Sequence, residues 1–298
     1  MPIAIIVHGG AGTASPERSE ILQAGCKEAA LVGWRMLQEG GSALDAVEAA
    51  VCALEDNPSY NAGTGACLNS DGNIELDAGI MDGQGLHVGA IAGVERIKNP
   101  ISLARKVLES PHVLLVGRGA EQFAQEQGIS QCTLEELVTE RQYKIWQEQQ
   151  AQEPQQAQPS DKHGTVGAVA LDASGVLAAA TSTGGIRNKY PGRVGDSPLV
   201  GCGFYADEYA AVSCTGDGED FVRLLIAKRA ADVVGNSKGG QTAREAAEAA
   251  IAVLGAKSTG TGGMIVVDRK GNVGFAWNSR NMSHAYIIEG MEEPVSGV

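Results

Sequence analysis

The chain opens on an unbroken apolar run, Ile3-Ala4-Ile5-Ile6-Val7, which passes His8 and enters the glycines Gly9-Gly10. A short continuous apolar run that ends in a turn reads as a strand buried on both faces. Ser15-Pro16-Glu17 then sets a capping hydroxyl before a proline at the first helical position, so a helix should run from here to Gly40-Gly41. A second helix is expected from Ser42, where Asp45 three residues on makes a short capping box, to about Asp56. Both segments are alanine-rich and can pack closely.

From Ala66 to Gly93 the pattern changes to short apolar runs broken at Ser70-Asp71-Gly72-Asn73 and Asp82-Gly83-Gln84-Gly85, which predicts strands joined by tight turns. Helical stretches are expected at about 100–110, 118–127 and 133–150. Residues 147–162 are rich in glutamine with almost nothing to bury, which predicts a mobile surface linker. A core strand, Thr165-Val166-Gly167-Ala168-Val169-Ala170-Leu171, follows directly, so the sharpest boundary in the chain falls at Gly164-Thr165.

Asp172-Ala173-Ser174-Gly175 should turn this strand into a second, Val176 to Thr181. The same hairpin design recurs with a strand from Gly263 to Asp268, a turn at Arg269-Lys270-Gly271-Asn272, and a strand from Val273 to Trp277. Two helices, about 218–234 and 241–254, lie between the hairpins. Strands in each half with helices grouped between them predict an α+β fold in which helices cover stacked sheets, not a doubly wound parallel sheet.

Length adds little, since 298 residues suit one large domain or two ordinary ones. The 40 glycines are roughly twice the share expected at about 7%, and each weakens a helix or strand unless a turn or close approach requires it. A net charge of -13, with no basic block, disfavours nucleic acid or an anionic membrane as partner. Cys26, Cys52, Cys67, Cys132, Cys202 and Cys214 form no C-x-x-C pair and sit among small or apolar neighbours, which suits buried free thiols in a reducing compartment. No apolar run approaches the roughly 20 residues of a membrane span, and the N-terminus lacks a basic signal region, so a cytoplasmic protein is expected.

Several familiar motifs fail on context. Gly235-Asn236-Ser237-Lys238-Gly239 has the G-x-S-x-G form but follows a helix, where a nucleophile elbow follows a strand, so a polar interhelical turn is expected. Val116-Gly117-Arg118-Gly119 opens a helix as a dinucleotide loop does, yet Gln122 stands at the third glycine position, which favours a structural turn. H-E-x-x-H and G-K-[ST] are missing, and His8, His87, His112, His163 and His284 are scattered without an acid partner at a telling spacing. A serine or cysteine triad assembled in space stays open.

Hydroxyl chemistry without an obvious histidine base remains. A threonine hydroxyl needs a base, and one local solution is the residue's own α-amino group, pKa about 7.7–8.0, once the peptide bond before it is cut. Such a threonine must start a rigid buried strand and follow a segment free to leave. Thr165 meets both conditions, although an ordinary strand residue beside a loop meets them too.

Long motifs decide between these readings. Residues 163–203, with His163-Gly164-Thr165-Val166-Gly167, Thr181-Ser182-Thr183-Gly184-Gly185 and Pro191-Gly192-Arg193-Val194-Gly195-Asp196, closely resemble the β-subunit start of the plant-type asparaginases, the isoaspartyl peptidase family. The resemblance extends to His8-Gly9-Gly10-Ala11-Gly12, Asn57 to Gly65, Glu75-Leu76-Asp77-Ala78, Met81-Asp82-Gly83, Ser213 to Glu219 and Thr261-Gly262-Gly263. Only the linker and the extreme C-terminus lack such motifs.

This resemblance implies a four-layer αββα sandwich of the N-terminal-nucleophile hydrolase type, spanning residues 1–298 as one domain. It implies self-cleavage between Gly164 and Thr165 into an α subunit, 1–164, and a β subunit, 165–298, which usually assemble as a dimer of αβ heterodimers. Thr165 becomes the nucleophile and, through its amine, the base. Thr183 should hydrogen-bond the Thr165 hydroxyl, Thr215 and the Gly216 N–H should form an oxyanion hole, and Asn61 should support the nucleophile and its water. Arg193 resembles the clamp for a substrate α-carboxylate, and Asp196 with the Gly218 carbonyl the acceptors for its α-ammonium. Carbonyls of Leu54, Glu55, Asn57, Tyr60, Ala62 and Thr64 resemble a sodium loop, and no organic cofactor is implied.

The expected reaction releases aspartate from asparagine or β-aspartyl dipeptides through an ester on Thr165. A glycosylasparaginase shares the threonine and the Gly-Arg-Val-Gly-Asp core but usually cleaves after aspartate, whereas Gly164 stands here. An uncleaved binding protein of the same fold is the other alternative, and retention of every hydroxyl and charge just named speaks against it.

Overall fold

A computed structural model describes residues 1–151, 164–237 and 240–298. The expectations for the linker beyond Ala151, for His163, and for Lys238-Gly239 lie outside the described residues.

In chain order the elements are β1 (Ala4–Gly12), α1 (Pro16–Gln38), α2 (Ala43–Asp56), β2 (Leu76–Asp82), β3 (His87–Val94) and α3 (Pro100–Leu108). Next come β4 (Leu114–Val116), α4 (Gly117–Glu126), α5 (Leu134–Leu137) and α6 (Glu140–Gln150). After Thr165 follow β5 (Val166–Leu171), β6 (Leu177–Thr183), β7 (Phe204–Ala206), β8 (Ala210–Gly216), α7 (Gly218–Leu224), α8 (Ile226–Asn236) and α9 (Ala243–Lys257). The last strands are β9 (Gly262–Asp268), β10 (Val273–Trp277), β11 (Asn281–Ile288) and β12 (Val295–Gly297).

Local chemistry sets the helix starts. Ser15 accepts from the Arg18 N–H ahead of Pro16, and Ser42 and Asp45 form both halves of a capping box, a device that contributes about 1 kcal/mol per cap. Gly25, Cys26, Ala29, Ala30, Gly33, Trp34 and Leu37 form the buried stripe of α1, at helical spacing and mostly small. That smallness lets α1 and α2 lie close together on the sheet beneath them.

Eight strands form one sheet in the order β12-β11-β1-β5-β6-β2-β3-β4, and four form another in the order β10-β9-β8-β7. Helices α1, α2 and α3 cover the outer face of the large sheet, while α8 and α9 cover that of the small one. The inner faces meet through β1, β5 and β6 against β8 and β9. The molecule is therefore the αββα sandwich that the resemblance implies.

Three apolar layers follow from the two-residue period of the strands. In β1, Ile5 and Val7 point to the helices and Ala4 and Ile6 to the other sheet. In β5, Val166, Ala168 and Ala170 take the helix side, and Val169 and Leu171 the gap between sheets. With both faces covered, these strands carry no polar alternation, which explains the unbroken apolar runs.

Four expectations needed correction. The helix over 133–150 is two helices, because Thr139 accepts from the Gln142 N–H and starts α6 afresh. Gln147 to Gln150, assigned also to the linker, belong to α6. Residues 66–75 form no strand; Asn69 accepts from the Asp71 and Asn73 N–H groups and holds a compact loop. The helix over 218–234 breaks at Leu225, whose φ of 52° separates α7 from α8. Strands β7, β8, β11 and β12 are not announced by the hydrophobic pattern.

Candidate active site

Strand parity gathers the hydroxyls. Thr165 has the parity of Val169 and Leu171; Thr181 and Thr183 that of Leu177 and Ala179; Ser213 and Thr215 that of Ala211. All five therefore face the space between the sheets, at the end where apolar side chains give way to polar ones. Val166 pairs with Ser182 and Asp77 with Thr183, which holds Thr183 one strand away from Thr165. The Thr165 hydroxyl donates to the Thr183 hydroxyl at 3.1 Å, and Thr183 Oγ1 also accepts from the Gly185 N–H at 3.0 Å. Thr165 is 7% exposed and Thr183 2%, so water contributes little there.

His8, Ser213 and Thr181 continue the polar layer, with His8 Nε2 2.9 Å from Ser213 Oγ and that oxygen 2.7 Å from Thr181 Oγ1. Burial lowers the His8 pKa to about 3, against the opposing pull of the Thr165 backbone, so the imidazole is neutral at physiological pH. Gly167 makes this contact possible: a Cβ there would lie 2.0 Å from Ser213 Oγ and 2.6 Å from His8 Nε2.

The glycines after His8 bulge β1 and carry it past Gly164. Gly10, at φ 107°, passes so close that a Cβ would lie 2.8 Å from the Gly164 Cα. One residue on, the Ala11 N–H donates to Thr215 Oγ1 at 3.2 Å, leaving the Thr215 proton to be donated elsewhere. Gly216 follows at the end of β8 and lines the same small cavity as Thr165, Thr183, Arg193 and Asp196. That cavity measures about 10 Å³, close to the space of one water.

Arg193 and Asp196 lie on the loop between β6 and β7. A Cβ on Gly218 would lie 2.9 Å from Asp196 Oδ1 and 3.1 Å from Arg193 Nη2, so the charged pair flanks this glycine. Arg193 Nε and Nη2 each donate at 2.8 Å to the two oxygens of Glu219. Burial opposes the Arg193 charge, but Glu219, Asp196 and Asp77 outweigh it and raise its pKa. The Arg193 hydrogen bond in turn holds Glu219 below the usual carboxylate range. Lys189, buried, anchors the loop by donating to the Glu75 carbonyl at 2.9 Å, and the Gly192 N–H donates to Glu75 Oε1 at 2.8 Å.

The family model described as Asparaginase matches residues 1–295. The chain belongs to the asparaginase family. It is 49% identical to the plant-type L-asparaginase of Thermococcus kodakarensis, over 99% of each chain. To the isoaspartyl peptidase/L-asparaginase of Homo sapiens it is 46% identical, over 97% of this chain and 94% of that one.

In this asparaginase-family chain Asn61 is fixed by two bonds, Nδ2 donating to the Gly185 carbonyl at 2.7 Å and Oδ1 accepting from the Cys67 N–H at 2.8 Å. Its Cβ abuts Gly164, where an added Cβ would come within 2.7 Å. Asn61 thus braces Gly164, the residue before Thr165, and the loop behind Thr183. Asn61 and Gly164 also line a cavity of about 60 Å³, together with Arg18, Arg141 and Arg187 among others.

The segment after α2 folds tightly, with the Thr64 N–H donating to the Glu55 carbonyl at 2.8 Å and the Tyr60 N–H to the Asn57 carbonyl at 3.1 Å. At Gly63 a Cβ would meet the Glu55 carbonyl at 2.7 Å, and at Gly65 the Tyr60 carbonyl at 2.9 Å, so the loop gathers backbone oxygens around side-chain-free positions. The Glu55 carboxyl is buried, accepts from Ile101 N–H and Asn99 Nδ2, and has its pKa raised to about 8 by burial.

Glu219, Lys189, Glu75 and His8 all stand in or beside quoted motifs, but sequence reasoning gave them no role. A signal existed for Glu75, a charge set between Ile74 and Leu76; none pointed to Lys189 or to the Arg193–Glu219 pair. The six cysteines are free, four buried and two half-buried. No helix among the described residues is long and apolar enough to cross a membrane.

Proposed function

We propose that the chain hydrolyses L-asparagine and β-aspartyl peptides to aspartate, with Thr165 as nucleophile after self-cleavage at Gly164-Thr165. The observation that carries this reading is the Thr165 hydroxyl at the start of β5, bonded to Thr183 in the cavity that Arg193 and Asp196 also line. Family membership and relatives named L-asparaginase and isoaspartyl peptidase support the same chemistry.

In the precursor, Thr165 Oγ1 adds to the Gly164 carbonyl carbon, the C–N bond breaks as the hydroxyl proton passes to the Thr165 nitrogen, and the Gly164 acyl group is left as an ester on Oγ1 with the amine free. Water then cleaves that ester, leaving a carboxylate on Gly164 and restoring the Thr165 hydroxyl. In turnover the amine takes the hydroxyl proton as Oγ1 attacks the side-chain amide carbon of the substrate. The oxyanion forms toward Thr215 and Gly216, whose donors act in a site that excludes most water. The proton passes to the leaving nitrogen, ammonia or an amino acid departs, and water hydrolyses the β-aspartyl ester to release aspartate.

Arg193 receives the substrate α-carboxylate, and Asp196 with the Gly218 carbonyl its α-ammonium. Carbonyls of Leu54, Glu55, Asn57, Tyr60, Ala62 and Thr64 suit a hard monovalent cation such as sodium, and each oxygen that accepts a loop N–H keeps a second lone pair. Such an ion would stiffen the segment that carries Asn61. The processed 1–164 and 165–298 chains stay together as one αβ unit and pair into a dimer of such units.

Comparing kcat/KM for asparagine and for β-Asp-Leu on processed protein tests the reading. Hydrolysis of either with release of aspartate is expected. Activity restricted to a glycosylated asparagine would overturn it.

A further inference from the structure

We propose that Glu219 is a positioning residue that holds the Arg193 guanidinium edge-on to the substrate and keeps it from collapsing onto Asp196. This rests on the reading of Arg193 as the α-carboxylate clamp.

A guanidinium carries five N–H bonds in one plane, divided between two edges. Glu219 takes the edge made by Nε and one Nη2 hydrogen, both at 2.8 Å. The edge made by Nη1 and the other Nη2 hydrogen remains. Its surroundings are glycine: a Cβ on Gly195 would lie 2.9 Å from Nη1, and one on Gly218 3.1 Å from Nη2. Any side chain at either position would cover the edge that a second carboxylate needs.

The competing partner is Asp196, whose Oδ1 lies against the same Gly218. Arg193 is attracted electrostatically to Asp196 and to Asp77. If Arg193 closed on Asp196, the cation and anion needed for the two ends of a zwitterion would neutralise each other. The two-point hold of Glu219 opposes that closure. Glu219 has a side chain 60% exposed against 15% for Arg193, so the pair lies at the rim and adds little to folding stability. Its effect is on orientation, a term that appears in substrate binding.

The test uses processed protein and asparagine as substrate. Glu219→Ala should raise KM roughly tenfold while kcat changes by less than about threefold, since the hydroxyl chemistry at Thr165 is untouched. Glu219→Gln should give an intermediate KM, because its amide accepts at one oxygen only. In an Arg193→Ala background, Glu219→Ala should add nothing further. An unchanged or lowered KM in the single variants, or the same increment without Arg193, would overturn the proposal. Should the alanine variant fail to fold, the nearly isosteric glutamine variant decides on the same criteria. Absence of hydrolysis by the parent protein would instead strike the function reading, and so separates the two.

Discussion

The hydroxyls of Thr165 and Thr183 are 3.1 Å apart although 18 positions separate them in the chain. The β5–β6 hairpin creates this contact by register, since Val166 faces Ser182 and the residues just outside that pair point into the same gap. Thr183 Oγ1 accepts from both Thr165 and the Gly185 N–H, so it fixes the direction of the Thr165 proton.

Thr183→Ala should therefore lower kcat at least about tenfold and slow the proposed self-cleavage, because one hydrogen bond to the Thr165 hydroxyl is lost. Thr183→Ser, which keeps the oxygen, should retain most of the activity. Steady-state kinetics and the rate of appearance of the two fragments read both effects.

Thr165→Ala should give an intact chain with no hydrolysis, since one hydroxyl is assigned to cleavage and turnover. Mass spectrometry after long incubation checks this. Complete cleavage in the variant would remove Thr165 from the nucleophile role, as would an intact 164/165 bond in fully active parent protein.

Arg193→Ala should raise KM for asparagine by about two orders of magnitude, the loss of a forked charge-assisted contact, while self-cleavage proceeds normally. The group attacked in the proposed self-cleavage is a peptide carbonyl with no free α-carboxylate, so Arg193 would have nothing to bind in that step. A KM equal to that of the parent would exclude the clamp.

Glu55 makes stability depend on pH. Burial raises its pKa from 4.5 to about 8, so the folded chain keeps a proton that the unfolded chain gives up at lower pH. The contribution is complete below pH 4.5 and is lost as pH rises through about 8. Over that interval the slope approaches about 1.4 kcal/mol per pH unit. Glu55→Gln, which keeps an acceptor for Ile101 N–H, should flatten the decline of Tm between pH 5 and 8. Calorimetry at several pH values measures it, and equal slopes in the two proteins would show that Glu55 is ionised throughout.

Local rules read much of the fold correctly. Ser15-Pro16 and Ser42-Asp45 start helices because a side-chain oxygen within three residues satisfies free N–H groups, which neighbours alone determine. Asp268 closes the second hairpin turn by accepting from Lys270 and Asn272 N–H groups, again within four residues. Short-range rules failed where the deciding partner is remote or a break is conformational. Nothing near Leu225 in sequence announces its left-handed turn, and β11 forms where it does because β1 stands ready to pair with it.

The candidate site divides in the same way. Thr165, Thr183, Thr215, Arg193 and Asp196 were legible because they stand in long motifs whose residue types and order resemble a known family. The parity that turns every hydroxyl to one gap follows from the two-residue period, but which face becomes the gap depends on the second sheet.

By itself, then, the sequence determined the capped helix starts, the hairpin turns and the chemical types available to the site. Only the tertiary structure decided that β1 lies between β5 and β11, that His8 is buried neutral beside Ser213, and that Glu219 occupies one edge of Arg193. The physical reason is range: capping and turn hydrogen bonds close within a few residues, whereas burial and charge pairing depend on groups brought together only when the sheets stack.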